Sequence, residues 1–200
     1  MMLYILFIST LFLVVHSCPP RPSPQPQNDD FPNVAKGRAF IFGVVREGVN
    51  YTLLGLIDIQ QSGPAVVVGD TSYLFLLKSC RLSGLPPGLH GFHVHEYGDL
   101  GDGCNAAGLH YNPFMMEHGG PDSAVRHLGD LGNIYTQSDG MTTVSITDTK
   151  VTLNGRYSVI GRAFVIHAQR DDLGLGTAPT SKTTGDSGSR IACGVIGIAQ

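Results

Sequence analysis

The sequence predicts an all-β domain of the sandwich or barrel kind. Three observations carry this. Short runs rich in β-branched and aromatic residues recur from Lys36 onward, turn signals separate them, and no sustained 3.6-residue apolar period appears. Glycine supplies 26 of the 200 residues, about twice its usual share, which suits a chain with many turns.

The runs follow in order. Ala39–Val45 and Tyr51–Ile59 flank Glu47-Gly48. Ala65–Val68 and Tyr73–Leu77 are set off by Ser62-Gly63-Pro64 and Gly69-Asp70. Leu89–His95 follows, then Asn133–Thr136 and Met141–Thr147 with Asp139-Gly140 between them, a strong hairpin signal. Val159–His167 and Ile191–Ile198 complete the set. Two long stretches, 98–129 and 168–190, break this rhythm. Loops of that length in a compact domain are usually functional.

Composition removes several function classes. Hydrophobic residues reach 42%, enough for a real core, so wholesale disorder is excluded. The formal net charge of −3 gives no support to binding nucleic acid or heparin. Leu3–Val15 is apolar apart from Ser9 and Thr10, too short for a membrane span of about 20 residues, and no transmembrane segment is expected. It suits the apolar part of a secretory signal, with Val15 and Ser17 placed for a cut before Cys18. A Pro/Gln/Ser stretch follows and reads as an extended linker. The expected organisation is a signal over 1–17, a linker over 18–35 and a folded domain over 36–200. Secretion makes Asn50-Tyr51-Thr52 the candidate glycosylation sequon; the alternative is a chance tripeptide.

Histidine is the count that stands out. Of eight, six fall between His90 and His127. His93 and His95 lie two apart on an expected strand, so both imidazoles point to one face and can share a metal. His110, His118, His127 and Asp130 are spaced along a loop that can fold back on itself. Three imidazoles and a carboxylate suit a closed tetrahedral zinc site. Asp130 alone would read as a turn residue; its place three residues after His127 favours ligation. His167 ends a strand and alone would read as a core or rim residue. With two strand histidines already facing one site, it becomes a further candidate. An all-imidazole set favours copper(II). Cys80 lies on a strand and reads as a buried free thiol, and Cys18 sits in the linker.

Together these strings resemble the copper/zinc superoxide dismutases: Gly88-Leu-His-Gly-Phe-His-Val-His-Glu-Tyr-Gly-Asp99, Gly108-Leu-His-Tyr-Asn-Pro113, His118-Gly-Gly-Pro121, Arg126-His-Leu-Gly-Asp-Leu-Gly-Asn133, Gly161-Arg-Ala-Phe-Val-Ile-His167 and Gly188-Ser-Arg-Ile-Ala-Cys-Gly-Val-Ile-Gly-Ile-Ala199. The resemblance covers about 36–200. It implies an eight-stranded Greek-key barrel with two long functional loops. It implies copper on His93, His95, His110 and His167, and zinc on His110, His118, His127 and Asp130, so that His110 bridges both ions. Asp171 matches a carboxylate linking a copper-ligand histidine to a zinc-ligand histidine. Arg190 matches the arginine that holds the anion beside copper. Cys104 and Cys193 match the family disulfide, and His90 matches a non-ligand histidine. The implied reaction is dismutation of superoxide to O2 and H2O2, with copper alternating between Cu(II) and Cu(I) and His110 carrying a proton. Ile160-Gly161 and Val195–Ala199 match dimer-interface segments, which implies a homodimer. No basic tail follows Ala199-Gln200, so matrix binding is not expected.

The chain departs from the family in two places. The 73–87 segment is longer than the corresponding hairpin, and Pro179 and Thr180 stand where two glutamates are common. A metallochaperone of the same fold would carry a Met-x-Cys-x-x-Cys module, which is absent. A secreted metal scavenger without turnover would have no need of Arg190 or a second long loop.

Overall fold

The computed structural model describes residues 34–45, 50–63 and 74–200. Eight antiparallel strands form a closed barrel: β1 (Lys36–Val45), β2 (Asn50–Ser62), β3 (Leu74–Ser83), β4 (Gly88–His95), β5 (Asp130–Thr136), β6 (Met141–Asp148), β7 (Ala163–His167) and β8 (Arg190–Val195). Their order around the barrel is β2-β3-β6-β5-β4-β7-β8-β1, and β1–β2 pairing closes it. A two-residue strand, β9 (Gly197–Ile198), continues β8 past a break at Ile196 and pairs with Gly37 and Arg38. Helix is confined, among the described residues, to α1 (Ser181–Thr184) and one 3-10 turn over Asn105–Ala107. No described helix is long and apolar enough to cross a membrane.

Alternation builds the barrel. Along β1, Ala39 and Ile41 are buried while Arg38 and Phe40 face outward; along β6, Thr142 and Val144 are buried while Thr143 and Ser145 are exposed. The inward residues fill one core, with Phe75, Phe92 and Phe164 among its largest members. Phe92 and Phe164 stack at 5.0 Å between ring centroids, fixing β4 against β7.

β4 and β7 are covered on both faces. Phe92 and Val94 enter the core, as do Phe164 and Ile166. The opposite parity carries His93, His95, Ala163, Val165 and His167 outward beneath the two long loops, with His93 paired to Val165 and His95 to Ala163. Register shifts fall between Gly91 and His93 against β5, and between Ile166 and His167 against β8. Irregularities of this kind re-aim the next side chain, here a histidine in both cases.

Cys104 is bonded to Cys193, tying the first long loop to β8 across 89 residues of sequence. The chain-entropy account gives such a closure about 4–5 kcal/mol as an upper figure. The two sulfurs sit in a second apolar cluster with Ala107, Ala163 and Val165, against which Val44, Tyr51 and Leu100 pack.

Some expectations change. The strand expected from Val159 begins at Ala163, because Gly161 takes φ +80° and Arg162 N donates to Val159 O, making 159–162 a turn. The strand expected to end at Leu77 continues to Ser83, and a register shift between Lys78 and Arg81 takes up one extra residue on β3. The Ala65–Val68 strand, the Cys80 and Asn50 side chains, the signal and most of the linker lie outside what the structure describes.

Candidate metal centre

Three segments converge on the outer face of β4 and β7. β4 presents His93 and His95. The loop after it returns so that His110 bridges to His95 backbone to backbone. β7 delivers His167. One ring nitrogen from each of His93, His95, His110 and His167 lies within 4.8 Å of the others, and all four residues are buried. A second set at the same spacing comprises His93, His110, His118 and Asp130. His93 and His110 therefore belong to both sets. His127 joins the second through Asp130, with its Nδ1 3.2 Å from Oδ1, and its ring packs 5.5 Å from those of His110 and His118.

Each imidazole is aimed by its remote nitrogen. Asp171, fully buried, accepts from His93 Nε2 at 2.9 Å and from His118 Nε2 at 2.8 Å. Those bonds set the protons on Nε2 and turn both Nδ1 atoms inward. His95 Nδ1 donates to Gly108 O at 3.0 Å and His167 Nδ1 to Gly188 O at 3.1 Å, which leaves their Nε2 atoms facing each other at 3.3 Å. His110 Nδ1 lies 2.9 Å from Asp130 Oδ1.

Two of the inward atoms then have nothing to bond. His93 Nδ1 and His110 Nε2 are buried with no hydrogen-bond partner, and His118 Nδ1 points at Asp130 Oδ2, 3.0 Å away. Lone pairs converging on shared points, each costly if left unmet, are what a cation site requires. The donor set fits copper at the all-imidazole end and zinc at the end with a carboxylate.

Electrostatics agree for His93, His95 and His167. Burial, followed by the neighbouring His110, holds His93 and His95 well below their ordinary range; the same causes push His167 down to about 3. These three are neutral at pH 7, the form that ligates. Burial opposes the proton on His118, but Asp130 and Asp171 overcome it and push the residue up to about 9. Burial likewise disfavours charge on Asp130, yet hydrogen bonds from His110, His118 and His127 hold it far below the carboxylate range.

Arg190 opens β8 and lies half-buried beside the cluster. Its Nη1 donates to Cys104 O at 2.7 Å and Asn105 O at 3.0 Å, and its Nη2 to Gly108 O. His90 is no member of either set; its two ring nitrogens lie 2.8 Å from His167 O and 2.7 Å from Pro86 O, tying the start of β4 to the end of β7.

Several supporting residues escape sequence reasoning. Asn133 clamps Asp171 through both backbone groups, with Asp171 N donating to its Oδ1 at 2.7 Å and its Nδ2 donating to Asp171 O at 2.9 Å. Arg126 is buried and pairs with Asp148 at 2.6 Å while donating to Pro121 O, pinning the loop that carries His118 and His127 to the end of β6. Both stand in the quoted string 126–133, so their place in a dense motif was the available signal.

Residues 55–196 match the family described as copper/zinc superoxide dismutase (SODC). An extracellular superoxide dismutase [Cu-Zn] of Haemonchus contortus is 52% identical over 165 residues, covering 82% of this chain and 85% of the relative. One of Caenorhabditis elegans with the same description is 48% identical over 167 residues, covering 84% and 71%. A putative superoxide dismutase [Cu-Zn] of Orgyia pseudotsugata multicapsid polyhedrosis virus is 48% identical over 145 residues, covering 72% and 90%.

Proposed function

The chain belongs to the copper/zinc superoxide dismutase family, and we propose that His93, His95, His110 and His167 hold its copper while His110, His118, His127 and Asp130 hold its zinc. It is an extracellular oxidoreductase that turns two superoxide ions and two protons into O2 and H2O2. One observation carries the residue assignment: His93 and His110, which belong to both sets, each keep one buried ring nitrogen without a hydrogen-bond partner.

Bound at these residues, copper would supply the one-electron couple, and zinc a fixed positive charge beside His110. The rest is the chain's own work. Arg190 spends three of its five N–H donors on carbonyls, which fixes the guanidinium plane and leaves donors for an incoming anion. His110, held through Nδ1 by the Asp130 side, holds a proton at Nε2 in one half of the cycle and gives it to the departing peroxide in the other. Asp171 keeps His93 and His118 in the tautomer that ligates, and Asn133 keeps Asp171 in place. Burial excludes bulk water from the imidazoles.

The domain at 36–200 carries the activity, behind a signal at 1–17 and a linker at 18–35. A homodimer is supported by an outward apolar patch of Phe40, Val195 and Ile198 on the neighbouring strands β1, β8 and β9. Sedimentation of the purified chain reads the dimer, and Ile198→Glu is expected to dissociate it. Metal analysis together with a dismutation assay tests the assignment. One copper and one zinc per chain are expected; full activity with copper lost from the imidazole set refutes it.

A further inference from the structure

The turn that leads to His118 is built more firmly than a surface loop requires. Asn112 clasps it: Met116 N donates to Asn112 Oδ1 at 3.0 Å, and Asn112 Nδ2 donates to Met116 O at 2.8 Å. Phe114 is anchored against Tyr157 with ring centroids 4.8 Å apart. Between these fixed points Met115 is held at φ +54°, a conformation L residues seldom adopt. The product of this construction is two adjacent methionines directed outward, Met115 at 84% and Met116 at 39% exposure. Neither contributes to the core.

Both line one cleft of about 510 Å3, and its walls include His110 and His127. Its charged walls are Glu96, Glu117 and Lys182; two negative charges against one positive leave −1. Arg190 is not among its lining residues. The cleft is therefore a cation-tolerant approach to the metal centre, separate from the arginine that receives the anion. Thioethers are soft, carry no proton to displace, and select Cu(I) over Zn(II).

We propose that Met115 and Met116 form a Cu(I)-capturing site at the mouth of this cleft, from which copper passes inward to His110 and the imidazole set. The inference rests on the assignment of copper to that set. Capture and transfer involve no change of oxidation state: weak thioether–copper bonds break as imidazole–copper bonds form. Two thioethers hold the ion loosely enough to release it to four buried imidazoles.

The test has two arms. In the first, the full-length, fully metallated protein, with its copper reduced and the Cys104–Cys193 bond intact, is labelled with 13C at the methionine methyls. Cys18 and Cys80 are alkylated so that thiols do not compete, and Ag(I) is added as a redox-silent probe of Cu(I) chemistry. Saturable shifts of the Met115 and Met116 methyls at one equivalent are expected, with Met141 unmoved. Met115→Leu/Met116→Leu, which keeps side-chain volume, is expected to lose that equivalent. In the second arm, zinc-loaded protein takes up Cu(I) from a weak donor. Uptake is expected to be at least several-fold slower in the double variant, with dismutase activity per bound copper unchanged. Equal uptake rates, or shifts spread evenly over all methionines, overturn the proposal. Failure of the wild-type imidazole set to take copper at all instead refutes the assignment beneath it.

Discussion

Arg190 and His95 donate to the same acceptor, the carbonyl oxygen of Gly108. The residue proposed to receive the anion and a residue proposed to hold copper are thus positioned by one atom of the intervening loop. Displacing either alters the bonding of the other.

Arg190→Ala is expected to lower dismutation by about tenfold or more, equivalent to about 1.4 kcal/mol of transition-state stabilisation, with copper and zinc content intact. Arg190→Lys is expected to recover little, because an ammonium cannot fork across the carbonyls of Cys104, Asn105 and Gly108. Wild-type rates in Arg190→Ala with full metal content place anion capture elsewhere. Activity is expected to fall as ionic strength rises, since screening acts over about 8–10 Å near physiological salt. Lys182→Ala is expected to have a smaller effect, felt at low salt.

Asp171→Asn is expected to weaken metal binding about 10–100-fold, the usual cost of losing a partner that orients ligands. Asp171 sets the tautomer of both His93 and His118, so both metals are affected, measured by competition with chelators. His118→Ala lowers zinc occupancy first, and His95→Ala copper occupancy first. Unchanged content after both substitutions refutes the two assignments.

His118 gives the metal-free chain a pH dependence. Its value of about 9 lies above the ordinary 6.5, so the proton it holds between Asp130 and Asp171 stabilises the fold fully below pH 6.5. That support is lost as pH rises through about 9. Denaturant melts of metal-free protein are expected to show falling stability across this window. Zinc uptake at pH 7 is expected to release a proton, read by calorimetry in buffers of different ionisation enthalpy. No proton release at pH 7 contradicts a protonated His118.

Cys104→Ala/Cys193→Ala is expected to cost about 2–5 kcal/mol of stability. It is also expected to depress activity beyond its effect on metal content, because Cys104 O is an Arg190 acceptor. A variant that is destabilised but fully active per bound metal shows that Arg190 keeps its place without the bond.

Much of this molecule is written locally. Alternation along β1 and β6 needs only neighbouring residues to place Ile41 and Val144 inward, so an all-β domain of the sandwich or barrel kind is legible from periodicity. The two-residue spacing of His93 and His95 likewise guarantees a shared face. The Asp139-Gly140 hairpin is equally local: Gly140 adopts φ +80°, and Met141 N donates to Asp139 Oδ1. What only the tertiary structure decided involves residues far apart in the chain. Register between β4 and β7, together with two ladder irregularities, brings His167 to His95 across 72 positions. The folding of the second long loop places Asp171 between His93 and His118, and chain reversal at Gly108 offers one carbonyl to both His95 and Arg190. The turn over 159–162 also overrode an apolar run, because Gly161 takes a positive φ that lets Arg162 fold back. Periodicity reports which side of its own strand a residue faces; which distant residue meets it there depends on register, packing and loop closure, and no local pattern encodes those.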